Sequence, residues 1–411
     1  MDRCFVVITL LLPLMFFWGG GETSLAKEPT QYLLVNLRPH ELTREGLQDI
    51  KQKLVAKTDA KVRLGVSMIY SYLQIPKDDT AAEDRFLQQL KNDLTLIQEA
   101  ELPMLIQLDG EQWWNARPDL WNWWDPTKPG YDPKNAENVE WTDWGPEHAI
   151  KISWRNWGRQ LRVLPAPNLM SPVYIAAWKE KMDKIVPVIL NWAKSLPEDK
   201  KYLFVGIKVG WESSVGLNAW YYPNGNDLLD KPEKDDPQTG LEPKQIPGRG
   251  VQTIGFAACK SAGIRENGQI EEADLAEVAR RHLESLCKKA SELGVPRDKL
   301  FTHGNGWKDE ELLYNASVNK YSCPGWSFYN EYAVDPSTNM GVKRALATSD
   351  APYWAVTEWL LFHDIKDRWI SALQNSLRAP QCRYVCVFNW YSIVDSPNVH
   401  EAIREFLAST E

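Results

Sequence analysis

The feature that most constrains the fold is an alternation of short apolar runs with amphipathic segments along most of the chain. Eight apolar runs are typical of buried β-strands; they span 32–36, 62–69, 103–109, 202–209, 300–303, 325–330, 353–358 and 383–390. Segments with helical spacing of apolar residues separate most of them; these span 41–58, 79–100, 171–196, 270–294, 338–349, 364–378 and 398–409. No hairpin signal such as Asn-Gly joins two alternating runs, so parallel strands linked by helices are expected.

This pattern predicts an α/β fold, a single (β/α)8 TIM barrel domain over residues 27–411. A doubly wound open sheet is the competing interpretation, but it normally carries a glycine-rich phosphate turn after an early strand, and none is present. Two stretches interrupt the alternation, 109–170 and 211–250. Loops of this length in a compact domain are usually functional, so long loops are expected after strands three and four.

The first 26 residues have the composition of a signal peptide. Arg3 precedes an apolar run over 4–18, three glycines follow, and Ser24 and Ala26 suit a cleavage site before Lys27. We therefore expect a secreted or periplasmic protein that has no membrane contact once the signal is removed, because no later stretch reaches spanning length. The net charge of −8 argues against a nucleic-acid partner.

Five cysteines follow the predicted signal, so at least one thiol is unpaired. Burial as small apolar side chains is the favoured interpretation; one or two disulfides are the alternative.

Two glutamates follow the same local pattern. Glu212 comes just after the fourth strand, beside Trp211, and Glu358 ends the seventh strand, beside Trp359. In a barrel the C-terminal ends of all strands surround one mouth. The fourth and seventh strand ends lie across it, so the two carboxyl groups can meet. A carboxyl pair that flanks a sugar bond is the requirement for glycoside hydrolysis.

In this arrangement the chain resembles clan A of the glycoside hydrolases, the retaining barrels. The resemblance implies that Glu212 is the acid/base, that Glu358 is the nucleophile and that their carboxyl groups are about 5 Å apart. It also implies that Tyr329 bonds to the nucleophile and that Trp390 forms the floor of the sugar site. The chain departs from the clan at Trp211, where an asparagine usually stands, and it has no counterpart of the histidine near strand three.

Tryptophan is the second indication of a carbohydrate ligand, with 20 in the chain and nine within one loop. Indole rings pack on the C–H faces of sugars, although such a cluster also builds a small core for a long loop. The predicted substrate-binding residues lie at strand ends and in that loop; they are Asp109, Trp113, Trp114, Trp211, Trp220, His303, Tyr329, Asn330, Trp359 and Trp390.

The sequence thus predicts a secreted glycosidase that cleaves an oligo- or polysaccharide, with no cofactor. A barrel that binds carbohydrate without cleaving it is the alternative, because of Trp211. A metal held by His303 or His363 with a carboxylate is disfavoured, since no histidines are paired at helical spacing. Serine hydrolase chemistry lacks its Gly-x-Ser-x-Gly motif.

Overall fold

The structure, a computed structural model, describes residues 30–54, 61–111, 113–156, 160–216, 219–221, 252–305 and 312–409. Its strands are β1 (Gln31–Leu37), β2 (Val62–Ser71), β3 (Met104–Asp109), β4 (Ser153–Asn156), β5 (Gln160–Val163), β6 (Phe204–Ser213), β7 (Ala219–Tyr221), β8 (Gln252–Thr253), β9 (Leu300–Gly304), β10 (Gly325–Tyr329), β11 (Trp354–Leu360) and β12 (Cys382–Val387). Eight of them close a barrel in the order β1-β12-β11-β10-β9-β6-β3-β2, and every pair is parallel. The predicted (β/α)8 barrel is confirmed, and the closed strand order excludes the open sheet. The predicted signal peptide lies outside the described residues.

Helices surround the barrel. They are α1 (Arg44–Leu54), α2 (Thr80–Ala100), α3 (Pro118–Trp121), α4 (Pro172–Ser195), α5 (Phe256–Ser261), α6 (Glu272–Glu292), α7 (Leu313–Ala316), α8 (Met340–Thr348), α9 (Lys366–Arg378), α10 (Trp390–Ile393) and α11 (Pro397–Ala408). The seven predicted helices are all present, and local capping fixes their starts: Asp79 accepts a bond from the Ala82 amide, and Ser171 from that of Tyr174. The four short helices α3, α5, α7 and α10 carry too few turns to show a periodic pattern.

The two long loops are not structureless. They contribute a four-stranded antiparallel sheet in the order β5-β4-β7-β8, in which β4 and β5 form a hairpin. This sheet lies outside the eight predicted strands, and the sequence did not predict it. Its strands have only two to four residues, too few for alternation to stand out in the sequence.

Side chains of the barrel strands alternate between the interior and the helix layer, as period two requires. On β1, Tyr32 and Leu34 point inward, while Leu33 and Val35 pack with the helices. An apolar cluster, here called the interior plug, fills the N-terminal end of the barrel; it comprises Tyr32, Leu34, Leu105, Val205, Phe301, Cys323, Ala355, Tyr384 and Cys386.

Strand ends differ from the prediction at three positions. Strand β6 continues through Ser213, so Glu212 lies within the strand rather than beyond it. Strand β12 ends at Val387, and Trp390 starts α10. Strand β2 continues through Ser71, two residues beyond its predicted end, and the hydroxyl of Tyr70 on its outer face donates to Asp93 of α2 at 2.9 Å. Each error arises because the sequence pattern leaves the exact strand end open by a few residues.

The five cysteines in the described part of the chain are buried free thiols, as the favoured interpretation has it. Burial raises the pKa of the Cys259, Cys287, Cys323 and Cys386 thiols to about 12, so these side chains behave as small apolar groups. Among the described helices, none has the length and apolar character to cross a bilayer.

Candidate active site

Two buried carboxyl groups face each other at the C-terminal mouth of the barrel. Glu212 of β6 is 2% exposed and Glu358 of β11 is 3% exposed. One oxygen of each carboxyl group and a ring nitrogen of His303 all lie within 4.8 Å of one another. Two carboxyl groups about 5 Å apart can act on the same sugar carbon and its leaving oxygen without a water between them.

A register irregularity aims Glu358 into the barrel. The pairing between β10 and β11 shifts between Trp326 and Ser327, so that Ser327 is opposite Glu358. As a result Ala355 and Glu358, three residues apart, both face the interior, although strict alternation would place them on opposite faces.

The backbone of Glu212 is in the left-handed region, with φ of 46°. A side-chain-bearing residue adopts this conformation at a cost of about 1–3 kcal/mol, and such residues cluster at functional sites. Arg155 of β4 helps to hold the strand end: its guanidinium donates to the carbonyl oxygens of Glu212 and Ser214, both at 3.3 Å. Burial lowers the pKa of Arg155, and the Glu212, Glu111 and Asp109 carboxylates oppose that effect.

Glu358 is surrounded by hydrogen-bond donors. The Tyr329 hydroxyl donates to Oε2, the contact that the resemblance implies, and the Trp211 indole also donates to the carboxylate. The Nε2 atom of His303 is 3.9 Å from Oε1. Donors of this kind favour the ionised carboxylate.

The two carboxyl groups share a proton. Burial and the Glu212 carboxylate raise the pKa of Glu358 to about 8, against the opposing effect of the Lys208 ammonium. Because the groups are this close, the raised pKa belongs to the pair, which keeps one proton in neutral solution. The donors around Glu358 favour its anionic form and oppose the effect of burial.

A polar layer lies directly below the carboxyl groups; we define it as Asn36, Ser67, Gln107, Lys208, His303 and Ser327. Lys208 donates to Nδ1 of His303 at 2.6 Å, and Nε2 of that ring is 2.7 Å from the Ser327 hydroxyl. Burial, followed by the Lys208 charge, holds the pKa of His303 well below its usual value. The imidazole is therefore neutral, with its proton on Nε2. Burial also lowers the pKa of Lys208 to about 8.

The other half of the polar layer is an amide and hydroxyl network. Gln107 donates to the Asn36 side-chain oxygen at 2.7 Å and to Ser67 at 2.9 Å. Asn36 in turn donates to the side chain of Asn389 at 2.5 Å. These bonds fix the orientation of the inward-facing side chains on β1, β2 and β3, since each buried polar group would otherwise be costly.

A second buried carboxylate supports the strand end that carries Glu212. Glu111 accepts from the Ser213 hydroxyl at 2.6 Å and lies 3.1 Å from Nε2 of His282 on α6. Burial opposes ionisation of Glu111, but His282, Ser213 and Arg155 outweigh it and lower its pKa. Asp109 accepts from the Glu111 amide at 2.9 Å and is itself buried. Glu111, Arg155 and His282 were not predicted as site residues; Arg155 and His282 come from a loop and a helix remote in sequence, whereas Glu111 lies two residues after Asp109.

The predicted binding residues separate into groups. Trp211 and Tyr329 contact Glu358, whereas Asn330 is solvent-exposed beside Tyr329 and donates to Glu331. Trp113 is half-buried. Trp220 pairs through its backbone with Trp154 of β4, and its side chain lies outside the described part.

Four of the predicted binding residues have other roles. The Trp359 ring packs on Trp369 of α9 with centroids 5.0 Å apart, because it points away from Glu358 on the strand. Trp390 stacks on His400 of α11 with centroids 5.8 Å apart, and Trp114 packs on Tyr174 of α4. These three indoles stabilise the helix layer. His303 is fully buried in the polar layer, beside the carboxyl pair.

Most described tryptophans of the loop before α4 pack on one another or on the loop itself. Trp124 lies between Trp121 and Trp123, with centroids 5.5 and 5.9 Å away. Trp141 donates to the Ala136 carbonyl at 2.7 Å. The loop thus has a small aromatic core.

Phe388 is an aromatic neighbour of Trp211 and was not predicted as a site residue. It follows β12 directly, is half-buried, and its ring meets that of Trp211 edge to face at 6.4 Å. It precedes the predicted Trp390 by two residues.

Glu212, His303 and Glu358 are also the described residues that could ligate a metal together. The Lys208 ammonium, bonded to the His303 ring, places a positive charge directly behind this set. That charge disfavours a cation there.

No family model matches the sequence, and the comparison with curated proteins gives no match. Among solved structures, a glycoside hydrolase family 5 enzyme from Prevotella bryantii is 9% identical, with a TM-score of 0.44 over 92% of this chain and 96% of the other. The family 5 enzyme GH5_18 from Streptomyces cattleya is 10% identical, with a TM-score of 0.46 over 93% and 82%. GH26A from a Muricauda species is 11% identical, with a TM-score of 0.41 over 92% and 88%. Values this low carry no inference about the activity of this chain.

Proposed function

We propose that this protein is a glycoside hydrolase that cleaves an O-glycosidic bond of an oligo- or polysaccharide with retention of configuration. The single observation that carries the proposal is the pair of buried carboxyl groups, with oxygens within 4.8 Å at the mouth of an eight-stranded barrel. That spacing suits direct attack by one carboxylate and is too short for the water that inversion requires.

In the first step, Glu358 attacks the anomeric carbon while the bond from that carbon to the leaving oxygen breaks. The shared proton of the pair passes from Glu212 to that oxygen. In the second step, a water attacks the same carbon, its proton passes to Glu212, and the bond to Glu358 breaks. The Lys208 ammonium lies beneath the pair and favours the ionised form of Glu358.

The test is hydrolysis of a panel of β-linked glucan, mannan, xylan and xyloglucan, followed by release of reducing ends. We expect Glu358→Gln and Glu212→Gln to lower turnover by at least about a thousandfold, which is about 4 kcal/mol of barrier. Glu140→Gln is the matched control, since Glu140 is also a fully buried glutamate but packs beside α5. Proton NMR of the first product should show the anomer of the substrate; the opposite anomer would refute the double displacement.

A carbohydrate-binding barrel without catalysis is the second candidate, and Trp211 favours it. Its indole donates to Glu358, and such a bond lowers the nucleophilicity of the carboxylate. Calorimetric binding of a panel glycan without any released reducing ends after long incubation would select this candidate.

We further propose that the protein is exported. The support is the signal-like composition of residues 1–26. N-terminal sequencing of protein recovered outside the cytoplasm should give a start at Lys27; retention of the full N-terminus inside the cell would contradict export.

A further inference from the structure

An aromatic groove opens beside the carboxyl pair, on the side of β10 and β11. We call it the aromatic groove and define it by its lining; the residues are Ser327, Phe328, Tyr329, Asn330, Glu331, Tyr332 and Phe362. Phe362 is 67% exposed, the largest value among the exposed large apolar residues of the described part, and Tyr332 is 40% exposed. Exposed apolar surface of this extent in a groove commonly marks a binding site.

The groove is continuous with the candidate active site through one side chain. The Tyr329 ring stacks on Phe362 with centroids 5.9 Å apart and planes inclined by 22°, while its hydroxyl donates to Glu358. A ligand that reaches Glu358 from this side therefore passes the Tyr329–Phe362 pair.

The chemistry of the groove suits a neutral sugar. Flat aromatic faces pack on the C–H face of a pyranose ring, and the Asn330 and Glu331 side chains at the rim offer hydrogen-bonding groups for hydroxyls. A second exposed aromatic residue, Tyr391, lies outside the groove lining, and the Arg38 guanidinium is 4.4 Å from the centre of its ring.

We propose that the aromatic groove binds a sugar unit of the substrate next to the bond that is cleaved. This inference rests on the proposed function and narrows it: the substrate is a chain that extends across Tyr329 onto Phe362, not a single sugar with a small aglycone. A flexible oligosaccharide held on both sides of the reacting bond keeps that bond positioned for attack.

The test measures binding separately from cleavage. Glu358→Gln protein is titrated calorimetrically with cello-, manno- and xylo-oligosaccharides of two to six units. Adding Phe362→Ala should weaken binding of the longer chains by about tenfold, with a smaller effect on the disaccharides, because one ring-stacking contact is lost. Phe362→Leu, which keeps an apolar side chain but not the flat ring, should behave in the same direction.

Ile365→Ala is the matched control: Ile365 is 50% exposed and near Phe362 in sequence but outside the groove lining, so binding should be unchanged. Equal affinities with and without Phe362 would overturn the inference, as would a loss that is independent of chain length or a change in sedimentation that shows a protein–protein surface instead. If the wild-type protein releases no reducing ends but binding still depends on Phe362, the proposed hydrolysis is refuted, whereas sugar binding by the aromatic groove is supported. Lack of binding by every oligosaccharide refutes the groove as well.

Discussion

The two ends of the barrel interior differ although the same strands build both. On β1, β3 and β9, one inward step of two residues changes the side chain from apolar to polar: Leu34 to Asn36, Leu105 to Gln107 and Phe301 to His303. The interior plug is apolar and tightly packed, whereas the polar layer holds a buried lysine beneath two carboxyl groups. On each of these strands, one inward side chain contributes to the stability of the barrel, and the next one belongs to the candidate active site. Substitutions at the two positions should therefore have different effects.

The largest effect should come from the interior plug. Phe301 is fully buried and meets Tyr384 edge to face at 4.9 Å. We expect Phe301→Ala to lower the free energy of unfolding by about 3–5 kcal/mol, because a cavity remains in the barrel. Urea denaturation measures this loss, and Phe362→Ala at an exposed position should cost less than about 1 kcal/mol. Equal costs at both positions would show that the plug does not stabilise the barrel.

The end of the barrel interior that holds the polar layer and the carboxyl pair should instead make the stability depend on pH. The pKa of Glu358 is about 8 in the folded protein, against 4.5 for an ordinary glutamic acid. The folded state therefore binds an additional proton between these pH values, so the contribution of this group to the free energy of unfolding is fully present below pH 4.5 and is lost as the pH rises through 8.

We expect Glu358→Gln to reduce this pH-dependent loss in the free energy of unfolding by roughly 2 kcal/mol or more. Urea denaturation between pH 4.5 and 8 measures the difference. Glu140, whose pKa burial also raises to about 8, contributes in the same direction, so Glu140→Gln should flatten the curve independently. Parallel curves for wild type and Glu358→Gln would contradict the shared proton.

Removal of the Tyr329 hydroxyl should lower activity by about ten- to a hundredfold, since a hydrogen bond to a charged group contributes about 1.5–3 kcal/mol. The control is Tyr70→Phe, which deletes a tyrosine–carboxylate bond on the outer face of the barrel. Steady-state kinetics should show that loss of kcat for Tyr329→Phe only. Similar kcat values for the two variants would remove Tyr329 from the reaction.

The buried Lys208 and the half-buried Lys299 provide the finest comparison. Burial lowers the pKa of both Lys208 and Lys299 to about 8, but Lys299 donates to the Phe204 carbonyl, away from the carboxyl pair. Because the Lys208 charge lowers the pKa of Glu358, Lys208→Met should move the alkaline limb of the pH–activity profile upward from about 8, by about one pH unit. Lys299→Met should leave the limb in place, and a profile unchanged in both variants would mean that Lys208 only fills space.

The sequence predicts the barrel and brings Glu212 and Glu358 together because both follow from strand order alone. The prediction fails where a shift of one residue along a strand decides whether a side chain faces the barrel interior or the helices. Trp359 and Trp390 are beside strand ends in sequence, yet they face the helices, and alternation cannot reveal the irregularity that turns Glu358 inward. Arg155 could not be predicted from local pattern at all, because its partners lie 57 and 59 residues away.

The bonds from Arg155 to the carbonyl groups of Glu212 and Ser214 have a consequence for protein engineering and for evolution. The insertion between β3 and α4 and the end of β6 form one transferable module. If residues 110–171 alone were grafted into another barrel, Arg155 would lack the two carbonyl oxygens to which it donates. If the end of β6 alone were grafted, those carbonyl groups would lack their donor. Diversification of this loop must therefore proceed around Arg155, with sequence change concentrated in the aromatic part that does not reach the strand.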